Sequence, residues 1–228
     1  MIESSRFRSE GPPLVSSKAE DYYRRERPDL LALVPPHARR ILDVGCGEGA
    51  LGARLAAALG AEVHGIERHA PAAAAARRVL ASVIEGDAAT ATIPFPEGAF
   101  DCLVYGDVLE HMADPWTLLR SHVRFLRRGG TVVASVPNVR HLGVVLPLLF
   151  AGRFEYEDEG ILDRTHLRFF TRRSFVDLLA GAGLEDVRLR RECGLAFVQG
   201  AFARALGAVP LLRDWIAVRY AATARKPQ

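Results

Sequence analysis

Cysteine is scarce in this chain, and the three that occur, Cys46, Cys102 and Cys193, stand far apart at irregular spacing. An odd number with no C-x-x-C pair excludes a disulfide framework and a thiolate metal or redox motif, and predicts a reduced, cytoplasmic protein. Long apolar runs are missing as well. The longest, Leu142 to Phe150, is too short to cross a bilayer and is interrupted by Gly143 and Pro147. The opening residues, Met1 to Arg6, hold no apolar stretch of the kind an export signal needs, so neither export nor a membrane span is expected. Lysine is almost absent: the 30 basic residues are nearly all Arg, scattered through the chain, and the net charge is only +3. Without a clustered basic stripe, nucleic acid is not the default partner.

What is present is a chain of 228 residues, 49% apolar, enough for one α/β domain over 1–228 with an ample core. Its organising stretch is Ile41-Leu42-Asp43-Val44-Gly45-Cys46-Gly47-Glu48-Gly49-Ala50-Leu51-Gly52, a buried-strand pattern running into a glycine turn and then a helix. Such a turn lets the backbone approach a ligand closely, and the following helix aims free N–H groups and its positive end at the same place. A small, polar, nucleotide-like ligand is implied. Gly45, Gly47 and Ala50 satisfy the dinucleotide spacing G-x-G-x-x-G/A. Asp43 and Glu48 argue against a pyrophosphate, because two carboxylates repel one while they suit a ligand bearing an ammonium and a sulfonium.

With D-x-G-x-G-x-G in this position the chain resembles the class I S-adenosylmethionine-dependent methyltransferases. That resemblance implies S-adenosylmethionine as cofactor, S-adenosylhomocysteine as product, and Asp43, Gly45, Cys46 and Gly47 as cofactor contacts. Alternating strand and helix patterns follow five times with no hairpin signal, which predicts a parallel doubly wound sheet with helices on both faces. The second strand, Ala61 to Ile66, ends at Glu67 and Arg68, about twenty residues past the turn, where a carboxylate can accept from both ribose hydroxyls. The third ends in Gly86-Asp87-Ala88, the place in the methyltransferase pattern where Asp87 takes the adenine amino group and the Ala88 N–H meets the ring. The fourth, Cys102 to Tyr105, leads into Gly106-Asp107-Val108-Leu109-Glu110-His111-Met112-Ala113-Asp114-Pro115, also similar to that superfamily. Tyr105, Gly106 and Asp107 should meet the methionine end of the donor, with Leu109 near the sulfonium or adenine. Arg127 to Gly130 reads as a turn before strand five, Thr131 to Val136.

Two segments flank this frame. Residues 1–38 read as a polar tail and short helices forming an N-terminal lid, with Tyr22 and Tyr23 as candidate lid residues. Residues 138–170 form a long insertion at the active face, expected to cover the acceptor; its apolar run could equally be a lid, a dimer contact or core. Methyl transfer is an in-line displacement in which the protein positions the acceptor and, for a hydroxyl, removes its proton. His111 and His166 are the candidate bases. Asp107, Glu110 and His111 at i, i+3 and i+4, joined by His166, are also similar to the metal-binding groups of ubiquinone-pathway O-methyltransferases, so a divalent ion is conceivable without being part of the expected site.

After a capped helix from Thr171 and strand six, Leu184 to Arg191, the stretch Leu195 to Leu206 reads as helical and Trp215 to Ala224 as a last strand. The resemblance implies that this last strand inserts antiparallel between strands five and six, giving a seven-stranded, Rossmann-like sheet. The expected activity is methyl transfer to a small-molecule or sugar (glycan) acceptor, most readily at oxygen, by a monomer or homodimer. An N-methyltransferase working by positioning alone, or a non-catalytic nucleotide-binding module, are the alternatives.

Overall fold

The computed structural model describes residues 23–193 and 212–228. The expected lid residue Tyr22 and the expected helix Leu195 to Leu206 lie outside the described residues. Seven strands form one sheet: β1 Arg40–Val44, β2 Glu62–Glu67, β3 Ser82–Glu85, β4 Phe100–Gly106, β5 Leu126–Pro137, β6 Glu185–Cys193 and β7 Ala217–Arg225, in the order β3-β2-β1-β4-β5-β7-β6. The first five pair in parallel, and β7 runs antiparallel between β5 and β6. The implied Rossmann-like architecture and the position of the last strand therefore both hold.

Helices α1 Pro28–Leu31, α2 Ala50–Leu59, α3 Ala70–Ala76, α4 Pro115–Val123, α5 Leu142–Ala151, α6 Arg172–Gly181 and α7 Arg213–Ile216 accompany the sheet. Successive side chains of a strand point to opposite faces. In β4, accordingly, Leu103 and Tyr105 join one apolar layer with Leu42, Val132 and Phe175, while Cys102 and Val104 join the other with Ile41, Leu55 and Val133. A sheet covered on both faces explains why its strands read as nearly unbroken apolar runs. Among the described residues no helix is long and apolar enough to cross a membrane.

Three local expectations are corrected. Arg127 to Gly130 is not a turn but part of β5: Leu126 pairs with Phe100, and Gly129 N–H and the Gly130 carbonyl bond to the chain around Lys226, so late residues recruit the glycines into the sheet edge. Trp215 and Ile216 belong to the one-turn helix α7, and the last strand begins at Ala217. The run Leu142 to Phe150 forms helix α5, with Val144 buried but Leu146, Leu148, Leu149 and Phe150 exposed, so it is not core.

Parallel pairing brings the carboxyl ends of β1 to β5 to one edge of the sheet, together with the start of β7 and the end of β6. Order reverses between β1 and β4, and in open α/β sheets that switch point opens the ligand crevice. Close packing beneath the crevice depends on Gly65 in β2: a Cβ there would stand 2.5 Å from Cys46 Sγ. Gly65→Ala should therefore destabilise the protein by about 1–3 kcal/mol in chemical denaturation, and adding Cys46→Ala should recover much of that loss. Independent, additive effects of the two substitutions would refute this packing account.

Candidate active site

The glycine turn after β1 is stitched to the end of β2. Gly45 N–H and Cys46 N–H both donate to the Ile66 carbonyl, at 2.7 and 3.1 Å, and Gly47 N–H donates to Glu67 Oε2 at 2.9 Å. Gly47 has φ +55°, and a Cβ on it would meet the Tyr23 carbonyl at 2.6 Å, so the position requires glycine on two counts. Glu67 is buried, and its other oxygen accepts from His69 N–H at 2.7 Å. Each carboxylate oxygen keeps a second acceptor site after these bonds. Asp43 is buried one strand away; burial first, and the charge of Glu67 second, push its carboxyl up to about 7, against the opposing pull of Arg27.

The N-terminal segment lies over this turn. The Tyr23 carbonyl accepts from Glu48 N–H at 2.9 Å, its ring stacks on His69 at 4.7 Å, and Arg24 pairs with Glu48. Arg68 is exposed just beyond Glu67. At the tip of β3, exposed Asp87 uses Oδ1 to accept from Ala89 N–H at 2.8 Å, leaving its second oxygen out of that turn, with Ala88 beside it.

The β4 tip departs from expectation. Tyr105 and Leu109 are fully buried in the core. Asp107 adopts φ 57°, a left-handed conformation uncommon for a residue with a side chain, and this turns its carboxylate away from Glu110 and His111. Asp107 Oδ2 instead meets Arg27 at 3.0 Å and Arg219 at 2.8 Å, and Oδ1 accepts from Ser135 Oγ at 2.6 Å. The helical-face set Asp107, Glu110, His111 does not form. Arg27 and Arg219, which bracket Gly106 and Asp107, escaped the sequence reading because neither sits in a motif; only folding brings residues 80 and 112 positions away onto one carboxylate.

A second constellation does assemble. The one-turn helix Leu109–His111 and the end of the insertion meet where Leu167 and Arg168 N–H donate to the Glu110 carbonyl, at 2.8 and 2.9 Å. One ligand atom each from Glu110, His111 and His166 lies within 4.8 Å of the others, and the two imidazole centroids are 4.8 Å apart. His111 Nδ1 faces the Thr165 carbonyl at 3.0 Å, and His166 Nδ1 faces the Ile161 carbonyl at 2.9 Å. A carbonyl only accepts, so both rings carry their proton on Nδ1 when neutral and present Nε2 as the basic nitrogen. Phe154, Tyr156 and Phe169 form an edge-to-face aromatic cluster next to His166.

The sequence profile of the family described as Methyltransferase domain matches residues 16–189. The chain belongs to that methyltransferase family. It is 30% identical over 171 residues to a ubiquinone biosynthesis O-methyltransferase of Cereibacter sphaeroides, covering 70% of this chain and 65% of that one. It is 30% identical over 179 residues to a Mycobacterium tuberculosis protein named as a probable S-adenosylmethionine-dependent methyltransferase, covering 77% and 59%. The chain thus spans less than two thirds of the length of these curated relatives. A crystal structure of a SAM-dependent methyltransferase from Archaeoglobus fulgidus superposes with TM-score 0.65 over 91% of this chain and 95% of the other at 18% identity, a likeness of fold.

The chemistry of the methyltransferase crevice fits S-adenosylmethionine. Two buried carboxylates at neighbouring strand tips call for a cationic ligand, and a glycine turn with its N–H groups at a helix start suits the polar end of a nucleoside. A protonated Asp43 is neutral and a weaker partner for a cation. Its raised folded-state pKa means that the proton goes on as pH falls through about 7. The affinity advantage of wild type over Asp43→Asn for S-adenosylhomocysteine should therefore shrink about tenfold from pH 8 to pH 6, a comparison that cancels the ligand's own titration. Calorimetry showing a constant ratio across that range would sink the assignment.

Proposed function

We propose that this methyltransferase-family chain transfers a methyl group from S-adenosylmethionine to an oxygen of a small-molecule or sugar acceptor, with His111 or His166 as general base. The observation that carries this reading is the meeting of Glu110, His111 and His166 at the same sheet edge as the glycine turn, with both Nε2 atoms basic. The donor, when bound, supplies an electrophilic methyl and a good leaving group. The chain's own residues hold it: Asp43 and the Gly45 to Gly47 turn toward its cationic end, with Gly106 and Asp107 beside them, Glu67 and Arg68 at the ribose, and Asp87 with the Ala88 N–H at the adenine. Tyr23 and the described residues after it, up to 38, act as a lid over the nucleotide turn. The 138–170 segment covers the acceptor, whose flat portion lies against Phe154, Tyr156 and Phe169.

An acceptor hydroxyl has a pKa far above neutrality, so its proton must leave as the carbon–oxygen bond forms, and a fixed imidazole Nε2 receives it. The kinship with a ubiquinone biosynthesis O-methyltransferase supports oxygen as the methylated atom. A second reading rests on the same three groups: Glu110, His111 and His166 form an oxygen and nitrogen donor set able to hold a divalent ion, which would lower the pKa of a bound acceptor hydroxyl.

The test is transfer of a labelled methyl group from S-adenosylmethionine into host extract separated into sugar, lipid, small polar, protein and RNA fractions. Label is expected in a small-molecule or sugar fraction. With the acceptor in hand, His111→Ala or His166→Ala should lower kcat by about 100-fold or more while S-adenosylhomocysteine affinity holds. Turnover surviving the double substitution would favour N-methylation by positioning alone. Loss of turnover on chelation, with an ion retained by the pure protein, would favour the metal reading.

A further inference from the structure

The Ala88 carbonyl, on the side of the turn away from the crevice, is held by a buried side chain that no motif singles out. His122 of α4 places Nε2 3.1 Å from the Ala88 oxygen, and its Nδ1 lies 3.1 Å from the Tyr105 hydroxyl of β4. Both side chains are buried, His122 at 3% exposure and Tyr105 at 0%. Their rings lie 26° from parallel with centroids 6.1 Å apart. The carbonyl can only accept, which puts the imidazole proton on Nε2 and makes the phenol the donor to Nδ1. Burial, with Arg124 adding to it, holds the imidazole pKa below its usual value against the Ala88 bond, so the neutral form that this chain of bonds requires is the favoured one.

What lies beneath the turn makes the bond matter. A half-open pocket of about 270 Å³ is lined by Ala88 to Ile93 on one side and by Ser121, His122, Arg124 and Phe125 on the other. Ala88, Ala91 and Ile93 touch the apolar core, and the pocket leaves the rest of the segment without such packing. Gly86 N–H, bonded to the Glu67 carbonyl at 2.9 Å, ties the start of the turn to the sheet, and Thr90 and Ala91 N–H to the Asp87 carbonyl fix its shape; His122 holds Ala88 between them.

We propose that Tyr105 and His122 form a strut across this gap that sets the position of the Asp87-Ala88 turn, and so of the adenine-recognising groups, making His122 a positioning residue for cofactor selectivity. The inference rests on the reading of Asp87 and Ala88 as the adenine contact. Tyr105, which the motif places at the methionine end of the donor, acts through its hydroxyl at the other end.

The experiment compares S-adenosylhomocysteine with an analogue whose purine lacks the 6-amino group, by calorimetry, for wild type, His122→Phe, His122→Gln, Tyr105→Phe and Asp87→Ala, with thermal unfolding of each. His122→Phe keeps a ring and removes both bonds. It should weaken S-adenosylhomocysteine about five- to tenfold, weaken the analogue much less, and leave kcat at saturating donor near wild type. His122→Gln, whose amide restores a donor toward Ala88, should recover most of the loss, and Tyr105→Phe should show a smaller loss in the same direction. Unchanged selectivity in His122→Phe, or equal weakening of both ligands, overturns the strut. Should His122→Phe not fold, Tyr105→Phe decides: an unaltered preference for the amino purine overturns it equally. If Asp87→Ala keeps the wild-type preference, the adenine reading itself fails and the strut fails with it; if Asp87→Ala loses the preference and the His122 and Tyr105 variants do not, the strut alone fails.

Discussion

Two carboxylates buried at neighbouring strand tips are an unfavourable arrangement that the rest of this fold exists to make useful. Asp43 and Glu67 end up side by side because β1 and β2 pair in parallel, with Asp43 opposite Gly65 and Glu67 one residue beyond the last β1 partner. Desolvation and mutual repulsion raise the free energy of the doubly ionised state. Glu67 is compensated by two backbone N–H donors, whereas Asp43 is left with its proton affinity raised toward neutrality. A cationic ligand relieves exactly that imbalance, which is a physical basis for preferring a sulfonium nucleoside to a pyrophosphate one on a turn whose glycine spacing admits both.

The crevice divides into two halves of different construction. On the side proposed for the nucleotide, backbone donors and short side chains gather at the tips of β1, β2 and β3, and their positions follow from sheet register. On the side proposed for the acceptor, the contributors come from an insertion that returns to the sheet through Glu110, whose carbonyl takes two N–H bonds from residues 167 and 168. Between them stands the ion cluster of Arg27, Asp107 and Arg219, with Ser135 completing it. Charges so placed hold β4, β5 and β7 in relation to the N-terminal segment. Any shift of that segment must break a partly buried ion pair, which is costly when one charge would be left alone.

Much of this was legible in the chain before folding was considered, for reasons that differ by residue. The glycine turn, Glu67 and Asp87 recur at spacings that parallel strand geometry imposes, so a pattern reader finds them. His111 and His166 were legible as chemistry, but their meeting was not, since 55 residues separate them and only the bonds of Leu167 and Arg168 to Glu110 close the gap. Asp107 was misplaced because residue spacing was read as a continuous helix, while a left-handed residue resets the direction of the chain before a single short turn. Arg127 to Gly130 was read as a turn because Gly-Gly is locally permissive; partners near residue 226, invisible in a local window, draw it into the sheet. Tyr105 sits at the strand tip where the motif puts it, but strand alternation sends its ring to the core.

The insertion of β7 between β5 and β6 also orders events in time. Arg219, which completes the charge cluster at Asp107, belongs to a strand that follows the other six in the chain, and among the described residues β6 has its ladder partner only in β7. During synthesis, β1 to β5 can pair as they emerge, but β6 stays unzipped until β7 follows it. A chain lacking β7 would thus hold the glycine turn without Arg219 at Asp107, so the charge cluster is completed after that turn rather than in step with it.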